Sequence, residues 1–218
     1  MLGIIKGDTR YEALSMMFES KISNELCDFY GIDGLVLPLA GIDDHYNIKQ
    51  SSLNLLDILN MNDIEYIVVG KANDKLKELC LKKNIYLLEL LKEPEYVMEN
   101  AALTAEGLLP YLSTKDLSIK DQRFLILGYG NISYYLAKLF KAIGAEFQIY
   151  PVNELEKKFL LLEDYKLADF KDFDVVINTI PKEQDWDYEK FRGKRIIEVS
   201  SFPYGFDIEK LTDLGIRY

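Results

Sequence analysis

The chain has 218 residues, 49% of them hydrophobic, enough for one large core or two small ones. Its 26 Lys and Arg against 36 Asp and Glu give a formal charge of −10, which builds no broad basic face for nucleic acid. No apolar run approaches the roughly 18 to 20 residues that cross a bilayer, and the apolar N-terminal stretch is too short for a signal peptide. One histidine and two widely spaced cysteines, Cys27 and Cys80, give no basis for a metal centre or a disulfide. A cytoplasmic protein with free thiols is the expectation, with no membrane and no nucleic-acid partner.

Short apolar strands alternate with amphipathic helices. Leu2–Ile5 reads as a first strand, and Lys6–Arg10 (KGDTR) as its turn into a helix over Tyr11–Glu19. Strands follow at Gly34–Leu39, Glu65–Gly70 and Ile85–Leu90, with helices at Leu53–Asn60 and Asp74–Lys83 between them. Pro94–Leu112 reads as one long helix. Pro94 suits its first turn, and Pro110 should kink or stop it. A second set of strands runs through Phe124–Leu127, Glu146–Tyr150, Asp174–Ile180, Arg195–Ser200 and Gly215–Tyr218. Ile132–Phe140 is helical, and Glu154–Asp164 reads as an exterior helix.

This alternation predicts an α/β protein of two doubly wound parallel-sheet domains, flavodoxin-like at the N-terminus and Rossmann at the C-terminus. The expected divisions are 1–93, a bridging helix over 94–115, and 116–218. The cleft is expected between the domains, beyond the carboxyl ends of the strands.

The stretch RFLILGYGNIS, Arg123–Ser133, is strand, Gly-X-Gly turn, then helix, the context a dinucleotide fingerprint requires. Gly128 allows the tight turn, and Gly130 lets the backbone approach a pyrophosphate. Tyr129, Asn131 and Ile132 complete the loop and the helix N-terminus. The alternative is a tight turn in a fold that binds nothing. The third position is Ser133, where helix and strand should pack closely. The second strand of this sheet ends at Tyr150–Pro151, with neither an acid for a ribose diol nor an arginine for its phosphate, so NAD and NADP both stay open, as does loss of binding. Trp186 falls close to where an adenine would lie.

Six segments resemble, in order, the dehydrogenase-type subunit family of dipicolinate synthase from spore-forming bacteria: KGDTR, VLPLAG (Val36–Gly41), NAALTAEG (Asn100–Gly107), GYGNIS, INTIP (Ile177–Pro181) and EVSSFPYGFD (Glu198–Asp207). The resemblance implies a formate-dehydrogenase-like architecture and an NAD(P)-linked oxidoreductase. Hydride transfer would act on a dihydrodipicolinate-type dicarboxylate to give dipicolinate, alongside a flavodoxin-like second subunit. It implies a dimer by analogy. It places Tyr150, Asn178, Thr179, Ile180, Pro181, Ser200 and Ser201 along the cofactor, although a proline at a strand end also simply stops pairing, and such serines also cap turns.

Asp8 and Arg10, just after the first strand, become candidates for the reaction, with Arg10 and Lys6 as cations for a dicarboxylate. Their alternative is an N-cap and a solvated first turn. Thr104 and Glu106 match the family's helix motif, Thr104 toward substrate and Glu106 to accept a proton or orient a cation, or else as part of a solvated helix face. His45, in a loop between acids, is a possible acid–base group or a solvated residue. The second domain has no histidine, which disfavours a 2-hydroxyacid dehydrogenase, and no GxSxG elbow is present. The family continues beyond the point where this chain stops, on an expected strand at Tyr218. A shortened, non-catalytic homologue that binds a partner or senses NAD(P) is therefore the alternative function.

Overall fold

The computed structural model describes every residue except Asp8, Asp116 and Phe202, and leaves the side chains of Thr9 and Arg10 undescribed. The chain divides into two compact units, Met1–Val97 and Met98–Tyr218.

The first unit holds β1 (Leu2–Ile5), α1 (Thr9–Met17), β2 (Ser20–Ser23), β3 (Gly34–Val36), α2 (Leu55–Met61), β4 (Tyr66–Val69), α3 (Asp74–Lys83) and β5 (Tyr86–Glu89). The strands pair in parallel in the order β2-β1-β3-β4-β5, the flavodoxin order. Ile5, Leu35, Ile67 and Val69 are buried in a sheet covered by helices. Asn54 and Asn73 cap α2 and α3 by accepting the Leu56 and Leu76 N–H groups. Asn84, at φ +55°, closes α3 in the left-handed conformation.

β2 is a strand where the sequence pattern predicts none. It pairs Leu2 with Ser20 through Ile5 with Ser23. Its residues, Ser-Lys-Ile-Ser, carry one apolar side chain, and a half-buried edge strand of that kind has no periodic signature. β3 is shorter than its apolar run. Leu37 N–H still bonds to Val68 O, but Pro38 has no N–H to continue the ladder.

The second unit contains most of α4 (Pro94–Thr114), then β6 (Arg123–Leu127), α5 (Asn131–Ile143), β7 (Glu146–Tyr150), α6 (Glu154–Leu162), β8 (Val175–Asn178), β9 (Arg195–Glu198) and α7 (Ile208–Asp213). α4 buries Ala101, Ala105, Leu108 and Leu112, a single stripe spaced by three and four. Pro110 does not stop it: the helix runs on to Thr114. Pro110 is exposed, and so is Glu106, whose carbonyl loses its donor, so water can serve that carbonyl.

The four strands pair in parallel in the order β7-β6-β8-β9. Phe124 and Ile126 face one core with Leu136, Phe140 and Leu112. Leu125 and Leu127 face the other with Val176, Phe191 and Phe206. The alternation along β6 thus fills both faces of a doubly wound sheet. Arg123 and Asp174 clasp its start, with Nε to Oδ2 at 2.9 Å and Nη2 to Oδ1 at 3.0 Å. Gly215–Tyr218 is not a strand. It makes one parallel bridge, Arg195 to Arg217, with Ile196 N–H on Arg217 O.

Candidate dinucleotide site

The strand order reverses between β6 and β8, so the crevice beyond their carboxyl ends is the switch point where α/β sheets bind ligands. The Gly128–Ser133 turn lies at that point. Gly128 has φ +88°, and a Cβ there would meet Ile180 Cγ1 at 2.9 Å and Thr179 Oγ1 at 3.0 Å. Its N–H donates to Tyr150 O at 2.8 Å, tying the turn to the end of β7. Gly130 is the N-cap of α5. A Cβ built on it meets nothing within 4 Å. The first turn of a 13-residue helix therefore opens onto free space, the shape and polarity an anion such as a pyrophosphate needs. Asn131 is exposed and Ile132 half-buried beside it.

Ser133, in the place of the third fingerprint glycine, is fully buried. Its Oγ lies 2.7 Å from Thr179 Oγ1, and Thr179 Oγ1 donates to Leu127 O at 2.9 Å. The hydroxyl that packs between helix and strand is thereby satisfied.

Asn178 is fully buried and its amide is committed to the loops. It donates to Ile180 O and to Glu198 Oε1 at 2.7 Å, and it accepts from Ile180 N. Its side chain fastens the ends of β8 and β9 to the loop that follows β8. Glu198 also takes the N–H and Oγ of Ser200 and the N–H of Gly205. One carboxylate therefore joins the ends of β8 and β9. Sequence reasoning assigned Glu198 no role; its signal was an acid at the end of an apolar strand, facing Asn178 one strand away. Pro181 and Ser201 are exposed.

A second missed residue is Glu156. Its Oε2 accepts the Tyr129 N–H at 3.0 Å and the Val152 N–H at 2.8 Å. α6 is thus not only an exterior helix. Asn153 caps it by accepting Glu156 N–H, and the third helical residue folds back as in a capping box. The pattern Asn-x-x-Glu was the available signal. The Tyr129 hydroxyl is buried with no hydrogen-bond partner, and burial pushes its ionisation well above the usual tyrosine range. Tyr150 packs edge-on against Trp186 at 5.4 Å, and Trp186 stacks on Phe206 while its Nε1–H donates to Gly205 O.

On α4, Thr104 Oγ donates to Asn100 O. Thr104 lines a groove of about 460 Å³ with Leu108, Tyr111 and the β9 residues Ile196 to Val199. Glu106 is exposed and lies outside that lining. In the first unit Lys6 is exposed after β1, where its carbonyl accepts from Asn24. His45 is exposed in a turn held by Asp43, which accepts the His45 and Asn47 N–H groups. Asp8 and the side chain of Arg10 lie outside the described residues.

No protein-family model matches the sequence. The fold of a dipicolinate synthase subunit from Bacillus halodurans superposes with a TM-score of 0.73 at 21% identity, covering 99% of this chain and 87% of that one. The corresponding dipicolinate synthase chain of Bacillus subtilis gives 0.71 at 19%, covering 99% and 85%. D-lactate dehydrogenase of Escherichia coli gives 0.60 at 14%, covering 99% and 79%. The resemblance carried by the motifs thus extends to the fold of the whole chain. By sequence, 97 residues are 33% identical to the putative pre-16S rRNA nuclease of Helicobacter pylori strain P12, covering 42% of this chain and 72% of that protein. Over that stretch the chain belongs to the pre-16S rRNA nuclease family. The rest of the chain lies outside that match, whereas the dipicolinate synthase likeness spans both units.

Proposed function

We propose that the chain is an NAD(P)-dependent oxidoreductase of the dipicolinate synthase kind. It would dehydrogenate a dihydrodipicolinate-type dicarboxylate to dipicolinate. The observation that carries this is the open helix N-terminus at Gly130, set at the switch point of a sheet whose chain matches the dipicolinate synthase fold from end to end.

The residues present fit a dinucleotide. Gly128 and Gly130 shape the turn, the N–H groups of Asn131 and Ile132 meet the pyrophosphate, and Tyr150 borders the adenosine side. Ile180, Pro181 and Ser201 border the other side, with Asn178, Thr179 and Ser200 fixing their loops. When bound, the nicotinamide supplies the hydride acceptor. Lys6 and Arg10 are the cations for the substrate carboxylates, with Thr104 as a further polar contact. The proton that leaves with the hydride goes to Glu106, Asp8 or His45. A flavodoxin-like second subunit is the proposed partner, and a homodimer the proposed assembly.

The test is reduction of NAD⁺ or NADP⁺ by a dihydrodipicolinate-type substrate, with and without a flavodoxin-like partner. Turnover lost in Arg10→Ala supports the substrate assignment. Complex formation without turnover favours the non-catalytic module.

The 97-residue likeness carries a second reading, a nuclease acting on ribosomal RNA precursors. The charge of −10 opposes polyanion binding. Cleavage of ribosomal RNA precursors, together with no cofactor binding, would put this reading first.

A further inference from the structure

We infer that Glu156 reads the adenosine ribose and makes the site selective for NAD(H) over NADP(H). This rests on the dinucleotide site proposed above. The strand that ordinarily supplies an acid for the ribose diol, β7, ends at Tyr150–Pro151 without one.

The geometry supplies the acid from elsewhere. Glu156 stands in the first turn of α6, and its Oε2 takes N–H groups from both sides of the crevice mouth: Tyr129, between the two fingerprint glycines, and Val152, two residues beyond β7. The carboxylate therefore spans the gap between the ends of β6 and β7, the two adjacent strands over which the adenosine half lies in this fold. Oε2 is occupied by these bonds. Oε1 has a single long contact, Asn153 Nδ2 at 3.4 Å, and Glu156 is half-buried. Oε2 thus anchors the carboxylate while Oε1 keeps lone pairs to spare, which suits a diol that donates hydroxyl hydrogens.

The same charge repels a 2′-phosphate. The nearest basic residues along the chain do not cancel it by pairing: Lys157 Nζ bridges to Glu154 at 3.4 Å. Lys158 is exposed.

The alternative role for Glu156 is purely to fasten the turn to α6. Binding of NADH and NADPH, measured by calorimetry on the wild type, Glu156→Gln and Glu156→Ala, separates the two. Gln keeps an oxygen for the two N–H groups and removes the charge. The expected result is that the wild type prefers NADH, and that Glu156→Gln narrows that preference by about tenfold, through weaker NADH and stronger NADPH binding. Equal loss of both cofactors in Glu156→Gln, or a wild type that prefers NADPH, overturns the inference while leaving the dinucleotide site standing. A wild type that binds neither cofactor overturns the site and the inference together.

Discussion

Ser133 Oγ lies 2.7 Å from Thr179 Oγ1, joining the first turn of α5 to the end of β8 across the crevice. Thr179 gives its proton to Leu127 O, so Ser133 is the donor in the pair. A serine thus stands where the fingerprint has glycine, and the close packing survives because the added hydroxyl has a partner. Ser133→Ala should cost about 0.5–1.5 kcal/mol in urea unfolding. NADH affinity should stay within about threefold, since the hydroxyl is fully buried and bonded to Thr179. Ser133→Val overfills a fully buried position and should cost about 1–3 kcal/mol.

Gly128→Ala is strained twice, by φ +88° and by the approach of Ile180 and Thr179. The expected loss is about 1–3 kcal/mol, read by chemical denaturation. A variant as stable as the parent would show that the turn adopts another conformation.

Glu198→Ala removes the acceptor for the buried Asn178 amide and for the Ser200 and Gly205 N–H groups. We expect a loss of about 1–3 kcal/mol. Amide exchange should quicken at Ser200 and Gly205, whose N–H groups Glu198 holds, before it does elsewhere. Uniform exchange across the unit would argue against a local clasp.

The Arg123 guanidinium, chiefly through its hydrogen bonds, holds the Asp174 carboxyl below the usual carboxylate range. A depressed folded-state pKa contributes stability above the unfolded pKa, about 3.9, and that contribution is lost as pH falls through the folded value. Asp174→Asn should therefore lower Tm at pH 7, and the gap from wild type should close as pH drops below about 4. A gap that persists in acid would assign the loss to packing.

Apart from β2, the strands of both sheets were legible as apolar or alternating runs, and α3 matched its expected bounds, Asp74–Lys83, whereas the expected strand at Gly215–Tyr218 is a single bridge. β2 was not legible, since a polar edge strand is specified by its neighbour β1 and not by its own pattern. Of the two outcomes expected at Pro110, a kink or a stop, the stop does not occur: α4 continues to Thr114. At the site, the glycines announced themselves by spacing. Glu156 and Glu198 did not, because each has a partner far away in sequence, the Tyr129 N–H for Glu156 and the Asn178 amide for Glu198, brought near only by the crossover connections.

Calorimetric titration of NADH and NADPH into the wild type and Gly130→Ala probes the dinucleotide site itself. A methyl at Gly130 enters open space at an allowed φ of −84°, so Tm should hardly change. It fills the cradle that the pyrophosphate needs. We expect micromolar binding of one cofactor by the wild type and at least about tenfold weaker binding by Gly130→Ala. No binding by the wild type up to millimolar cofactor, or equal binding by both proteins, would contradict it.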